Sequence, residues 1–312
     1  MRAAILREYG QPPVPGEFDE PQPGEGHVVV DVLAAGMNPV DLAMASGSFY
    51  AGSPPLPSVV GREGVGRTPD GRLVYFDSPI PPDGSFAERA LVDADSIIAL
   101  PAEIDPKLAV AFGIAGLAAW LALQWRAQVQ EGETVLVLGA SGVVGLIAVQ
   151  GAKLLGAGRV VAAARSAEGL KRAQELGADA TVQIGQVDDL AKAFKEASGE
   201  GVDVVVDPIW GEPAAAALEA CRPGGRHVQI GQSAGAHATI PSATVRGKML
   251  AVLGHTNFLA PQEVKRAAYE RMVEHAARDE LTVDVEWMPL DRAAEAWSRQ
   301  RSSPHHKLVV VP

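Results

Sequence analysis

The segment LVLGASGVVG, residues 136–145, constrains this chain more than any other. Thr134 to Leu138 is a short apolar run of the kind that is buried on both faces of a parallel sheet. The residues that follow, VVGLIAVQGAKLLGA, repeat apolar positions at helical spacing and end in glycine. The glycines thus join a strand to a helix start, where unpaired backbone N–H groups and the helix dipole favour an anion.

The surroundings repeat that rhythm. After residue 133 come the strand candidates TVLVL, RVVAAA, ATVQI, VDVVV, GRHVQI and KMLAVLG. Between them lie helical stretches such as SAEGLKRAQELG, VDDLAKAFKEAS and EPAAAALEAC. An alternating series of this kind predicts a doubly wound parallel sheet in an α/β fold. Residues 1 to about 105 differ, with short β-like runs (HVVVDVLAAG, GRLVYF, FAERALVD, SIIAL) broken by clusters such as GSPPLP and SPIPPDG. They predict a mainly β domain of antiparallel strands. The tail brings two helices around VDVEWMPL and ends in a strand, KLVVV.

Composition removes several classes of function. The net charge of −11, without a basic patch, opposes binding to nucleic acid or anionic lipid. A single cysteine, Cys221, permits no intrachain disulfide and no thiolate cluster for zinc, and it points to a reducing, cytoplasmic setting. Cys221 itself reads as a small buried filler. The first residues, MRAAILREYGQPP, lack the apolar core of a signal peptide. Leu108 to Leu123 carries no charge, but a membrane span needs about 20 residues of greater bulk, so a helix buried between two domains is expected.

Set as a dinucleotide fingerprint, the turn reads Ala140-x-Gly142-x-x-Gly145. Gly142 would let the backbone approach a pyrophosphate and Gly145 would let helix and strand pack closely, with alanine in the first glycine's place. The second strand candidate ends at Arg165-Ser166, where an NAD-selective chain would carry an acidic residue for the ribose hydroxyls. A guanidinium and a hydroxyl suit a 2′-phosphate instead, with Lys171 one turn further on. A solvated arginine at a helix start is the plainer alternative.

Across nearly its whole length the chain resembles the medium-chain dehydrogenase/reductases, and within them the zinc-independent, zeta-crystallin-like quinone oxidoreductase branch. The likeness rests on AAGMNPVDLAMASGSFY, GREGVG, GSFAERALVD, GIAGLAAW, GASGVVG, AQELGADATV, GVDVVVD, RPGGRHVQIG and HKLVVV, in that order. It implies a GroES-like catalytic domain over 1–112, a Rossmann NADP-binding domain over 113–258, and a segment over 259–312 that returns to the first. Zinc-dependent relatives carry a cysteine and a histidine where this chain reads Gly36-Met37-Asn38 and Gly61-Arg62-Glu63. Asp41 and Glu63 alone are poor zinc ligands, so no catalytic zinc is expected.

Without that Lewis acid, the reaction left is hydride transfer from NADPH to an electrophilic small molecule, a quinone or an α,β-unsaturated carbonyl. The resemblance puts Asn38 and Tyr50 in the catalytic pocket. Phe49 competes for the tyrosine's place, and Asn38 before Pro39 is equally suited to a turn. Cofactor contacts are implied at Ser141, Gly142, Val143 and Val144 for the pyrophosphate. Arg165, Ser166 and Lys171 follow for the phosphorylated ribose, then Ile230, Gly231, Gln232 and Ser233 at a strand end. His255, Thr256 and Asn257 would lie near the nicotinamide. KMLAVLG resembles the edge strand through which relatives pair, so a homodimer is expected. A free-standing enoyl-thioester reductase, or a non-catalytic NADPH-binding protein, would share this framework.

Overall fold

The computed structural model describes all residues, Met1–Pro312. The chain divides into two compact units, one formed by 1–115, 269–277 and 283–312, the other by 116–268 and 278–282.

In the second unit the buried strand Thr134–Leu138 stands at the centre of a six-stranded parallel sheet. From one edge the order runs Ala180–Gln183, Arg159–Ala164, Thr134–Leu138, Val202–Asp207, Cys221–Gln229, Ala251–Gly254. Order reverses at the first strand of the series, so a crevice opens above the carboxyl ends of the central strands. The strand Thr134–Leu138 is buried throughout, and its two neighbours are buried but for Arg159 and Asp203, because helices cover both faces. Leu136, Val161, Val205, Phe194 and Ala217 form the core on one side. The helix Val143–Leu154 lies close to its neighbours because Gly151 has no side chain: a Cβ there would sit 3.3 Å from Trp120 and Leu123. Ser166 and Asp189 cap the helices Ala167–Glu175 and Leu190–Ser198 by accepting from Gly169 and Lys192 N–H groups.

One boundary departs from the pattern read in the sequence. The helix Gly211–Ala220 stops before Cys221, which already opens the strand Cys221–Gln229. Pro223 cannot continue the ladder and Gly224 is left-handed (φ +80°), so that strand begins irregularly and pairs regularly only from Arg226. The Cys221 thiol is buried, donates to the Ala217 carbonyl at 3.3 Å, and is pushed up to about 12 by burial.

The first unit holds two sheets. Arg2–Leu6 lies between Val14–Glu17 and Ser58–Val59. The larger, seven-stranded sheet runs Val285–Pro289, Lys307–Val311, His27–Gly36, Glu63–Arg67, Leu73–Phe76, Ile98–Ala99, with Arg89–Asp93 also paired to His27–Gly36. Its pairs are antiparallel except for the terminal strand, which runs parallel to Val285–Pro289. Val30, Phe76, Phe86, Trp297, Leu308 and Val310 form its core.

The uncharged segment noted in the sequence is helical from Pro106 to Ala127, long and apolar enough to cross a membrane by length and composition. Within its most apolar window 72% is buried in the protein. It is not one regular helix: Gly113 (φ −64°, ψ −119°) breaks it inside a π-turn, Phe112–Gly116.

Candidate functional site

The glycine turn is built as a cradle. Gly139 is left-handed (φ +62°), the Gly142 N–H returns to the Gly139 carbonyl at 3.0 Å, and the Ala140 N–H ties the turn to Ala163 at 3.0 Å. A Cβ on Gly145 would collide with the Gly139 carbonyl and the Ala140 backbone, so only glycine lets the helix approach the strand end. Gly142 differs: a Cβ there would meet only the Gly139 oxygen, at 3.6 Å, so its outer side is open. No side chain caps the helix that starts after Gly142, leaving its first N–H groups with neither an intrahelical nor a capping partner. This is the environment that a pyrophosphate needs. Ser141 is buried, and Val143 and Val144 are partly exposed at the helix start.

Arg165 follows the strand tied to this turn by the Ala140–Ala163 bond, and its side chain is exposed. Ser166 accepts from Gly169 at 3.1 Å as the cap of its helix, which leaves its O–H to donate elsewhere. Lys171 is exposed on that helix. Ile230 and Gly231 are half-buried beyond the strand Cys221–Gln229, while Gln232 and Ser233 are exposed. His255 is buried, and burial pushes its imidazole down to about 4. It is neutral at neutral pH. With Nε2 placed 3.0 Å from Asn257 Oδ1, the Nδ1 lone pair has no partner. Thr256 caps the short turn Asn257–Leu259. These groups all lie in one unit, at or beyond carboxyl ends of its parallel strands.

In the other unit, sequence reasoning missed the principal feature. Glu63 is fully buried, and its carboxylate takes four donors. Lys307 Nζ (2.6 Å) and Asn38 Nδ2 (2.7 Å) reach Oε1, while Tyr75 Oη (3.0 Å) and the Ile114 N–H (2.5 Å) reach Oε2. Lys307 also donates to Asn38 Oδ1 at 2.8 Å, closing a triangle. Neighbouring strands explain the meeting. Lys307, Gly36, Glu63 and Tyr75 come from four consecutive strands of one sheet, and Gly36 lies between the ion-pair partners. A Cβ on Gly36 would press on both Glu63 and Lys307, and one on Gly113 would press on Glu63 and Tyr75. Burial, then the Glu63 charge, raises the Tyr75 hydroxyl well above its ordinary range, so it stays a donor. A signal for the network exists in the sequence: one lysine opening the apolar strand KLVVV needs a buried carboxylate, and GREGVG supplies one.

The structure places Asn38 inside this network, buried, with both amide atoms engaged and its backbone N–H donated to Asp41 Oδ2 at 2.7 Å. It also ends the extended chain before the helix Pro39–Ala45, as a residue preceding proline should. Tyr50 stands 79% exposed, its ring 4.4 Å from that of the half-buried Phe49. Nothing brings Asn38 and Tyr50 into contact.

Asp41 is buried with Oδ1 unpartnered, and burial raises its carboxyl to about 7. The unfolded chain releases this proton near pH 4 and the folded chain near 7, so folding is favoured below that window and loses stability as pH rises through it. The loss is up to about 4 kcal/mol. In Asp41→Asn this slope between pH 4 and 7 is expected to disappear, since the amide can still accept from Asn38. Denaturant unfolding of both proteins across that range checks it, and parallel stability curves would contradict it. His255 has the opposite slope but contributes equally to both proteins.

The geometry can be set beside known proteins. The profile of the zinc-binding dehydrogenase family matches residues 143–275. The human quinone oxidoreductase is 30% identical over 317 aligned positions, which cover 95% of this chain and 92% of that protein. The quinone oxidoreductase of Thermus thermophilus, solved alone and in complex with NADPH, is 32% identical with a TM-score of 0.86, each chain covered completely. The Escherichia coli quinone oxidoreductase, solved in complex with NADPH, is 25% identical with a TM-score of 0.90 over the whole of both chains. A likeness that spans both units and the full length of its relatives makes this chain a member of the quinone oxidoreductase branch of the medium-chain dehydrogenase/reductase superfamily.

Proposed function

We propose that the chain is an NADPH-dependent reductase that needs no zinc and passes hydride to a quinone or an α,β-unsaturated carbonyl. The observation that carries this reading is the glycine cradle with Arg165 just beyond the strand bonded to it. A dinucleotide lying across such a crevice sets its pyrophosphate on the helix start and its adenosine ribose beside the end of the second strand. Ser141, Gly142, Val143 and Val144 would hold the pyrophosphate. Arg165 and Ser166, with Lys171 nearby, would hold the 2′-phosphate. Once bound, the cofactor supplies a hydride at its nicotinamide ring. The protein's part is to orient, to exclude water and to donate a hydrogen bond to the oxygen that gains charge.

The donor set speaks against zinc. The segments Gly36–Asn38 and Gly61–Glu63, where zinc-dependent relatives carry ligands, offer neither cysteine nor histidine, and both Glu63 oxygens are already engaged by two donors each. The edge strand Ala251–Gly254, with Val252 43% exposed and Met249, just before the strand, 76% exposed, supports pairing of two copies into a homodimer.

Arg165→Ala tests the cofactor reading. A hydrogen bond to a charged group contributes about 1.5 kcal/mol at the low, solvent-screened end of its range. The variant is expected to bind NADPH about tenfold more weakly while NADH binding stays unchanged, both read by calorimetry at low salt. Equal losses for the two cofactors, or none, would show that Arg165 does not read the phosphate.

A further inference from the structure

Trp210 has a backbone conformation that almost only glycine tolerates, φ +57° and ψ −155°. A large residue persists there only when its surroundings hold it, and here the holding is explicit. Asp207 Oδ1 accepts from both the Ile209 and the Trp210 N–H, at 2.9 and 2.8 Å. Asp207 Oδ2 lies 2.7 Å from His227 Nε2, with both side chains fully buried. The Trp210 indole stands edge-on to that imidazole, ring centres 5.8 Å apart at 88°. The Ala234 N–H donates to the Ile209 carbonyl at 2.8 Å, and Gly211, itself left-handed (φ +72°), abuts the Ala234 backbone. Folding alone does not require the indole here, since a glycine would meet the same backbone bonds without strain.

The position of the ring suggests a use. Trp210 lines a cleft of about 360 Å³ with Gln229, Gln232, Ala236, Val252 and Gly254. Gln229 and Gly254 end adjacent strands of the parallel sheet, and Trp210 lies three residues beyond the end of the next, Val202–Asp207. If the adenosine half of a dinucleotide lies toward Arg165, on one side of the central strand, its other half must run toward these strands. The cleft is lined by an indole and two glutamines, of which Gln229 already donates through Nε2 to the Gly231 carbonyl at 2.9 Å and keeps its Oε1 as an acceptor. An aromatic side chain beside amides suits a flat ring bearing a carboxamide.

We propose that Trp210 is a binding residue for the nicotinamide half of the cofactor, held in a strained backbone by Asp207 so that its ring forms one wall of that subsite. This rests on the NADPH reading above. The test titrates NADPH, and separately 2′-phospho-ADP-ribose, which lacks the nicotinamide, into the unmodified protein and into Trp210→Gly, Trp210→Ala and Trp210→Phe. Glycine and alanine are expected to weaken NADPH binding about tenfold while leaving 2′-phospho-ADP-ribose unchanged, and phenylalanine to retain most of the affinity. Trp210→Gly should also melt above Trp210→Ala, because only glycine relieves the backbone. Unchanged NADPH binding, or equal weakening of both ligands, would overturn the proposal. An unmodified protein that binds neither ligand would overturn the cofactor reading and this proposal together. Binding of the fragment but not of NADPH would overturn the nicotinamide subsite alone.

Discussion

Replacing Lys307 with methionine is expected to destabilise the unit that carries it by about 3–5 kcal/mol, because it strands a buried carboxylate. Lys307 is 1% exposed and Glu63 not at all, so solvent cannot take over. Asn38, Tyr75 and the Ile114 N–H would still donate to Glu63, but the charge would be uncompensated and Asn38 Oδ1 would lose its donor. The melting temperature should fall by about 10 °C. Adding Glu63→Gln to the variant removes the stranded charge, so the double variant should be more stable than Lys307→Met alone. A Lys307→Met protein that melts within about 2 °C of its parent would show that the pair contributes little.

This network was hidden in the sequence for a physical reason, whereas much of the fold was not. The βα series is encoded locally: the central strands of the parallel sheet are short apolar runs, the helices carry their own periodicity, and Ser166 and Asp189 cap two of them. Gly145 could be assigned to close packing because strand, turn and helix adjoin one another in sequence. Glu63 and Lys307 are separated by 244 residues, and only the strand order of the first unit makes them neighbours. Glu63 therefore read only as a deficient zinc ligand, though a lone lysine in an apolar strand already demanded a partner. Asn38 was legible as both a turn residue and a pocket residue. The structure shows it at the helix start and, through its amide, in the Glu63 network. Trp210 escaped notice because sequence assigns left-handed backbone to glycine. Here the tryptophan before Gly211 adopts a positive φ as well, under constraints from Asp207 and the chain near Ala234.

The second large effect lies in the chemistry. On the zinc-free reading proposed above, and with Glu63 engaged by four donors, the enzyme has little means to oxidise an alcohol, which must lose a proton as hydride leaves. An enone is different: its β-carbon accepts hydride directly, a hydrogen-bond donor holds the charge that develops on oxygen, and a proton from solvent then reaches the α-carbon. The decisive measurement is reduction of a simple enone by NADPH carrying deuterium at the transferable C4 position, with the product read by mass spectrometry and NMR. One deuterium at the former β-carbon, with efficient turnover of quinones and little oxidation of ethanol or secondary alcohols, is the predicted result. Efficient alcohol oxidation with no transfer of label to enones and no quinone turnover would contradict it.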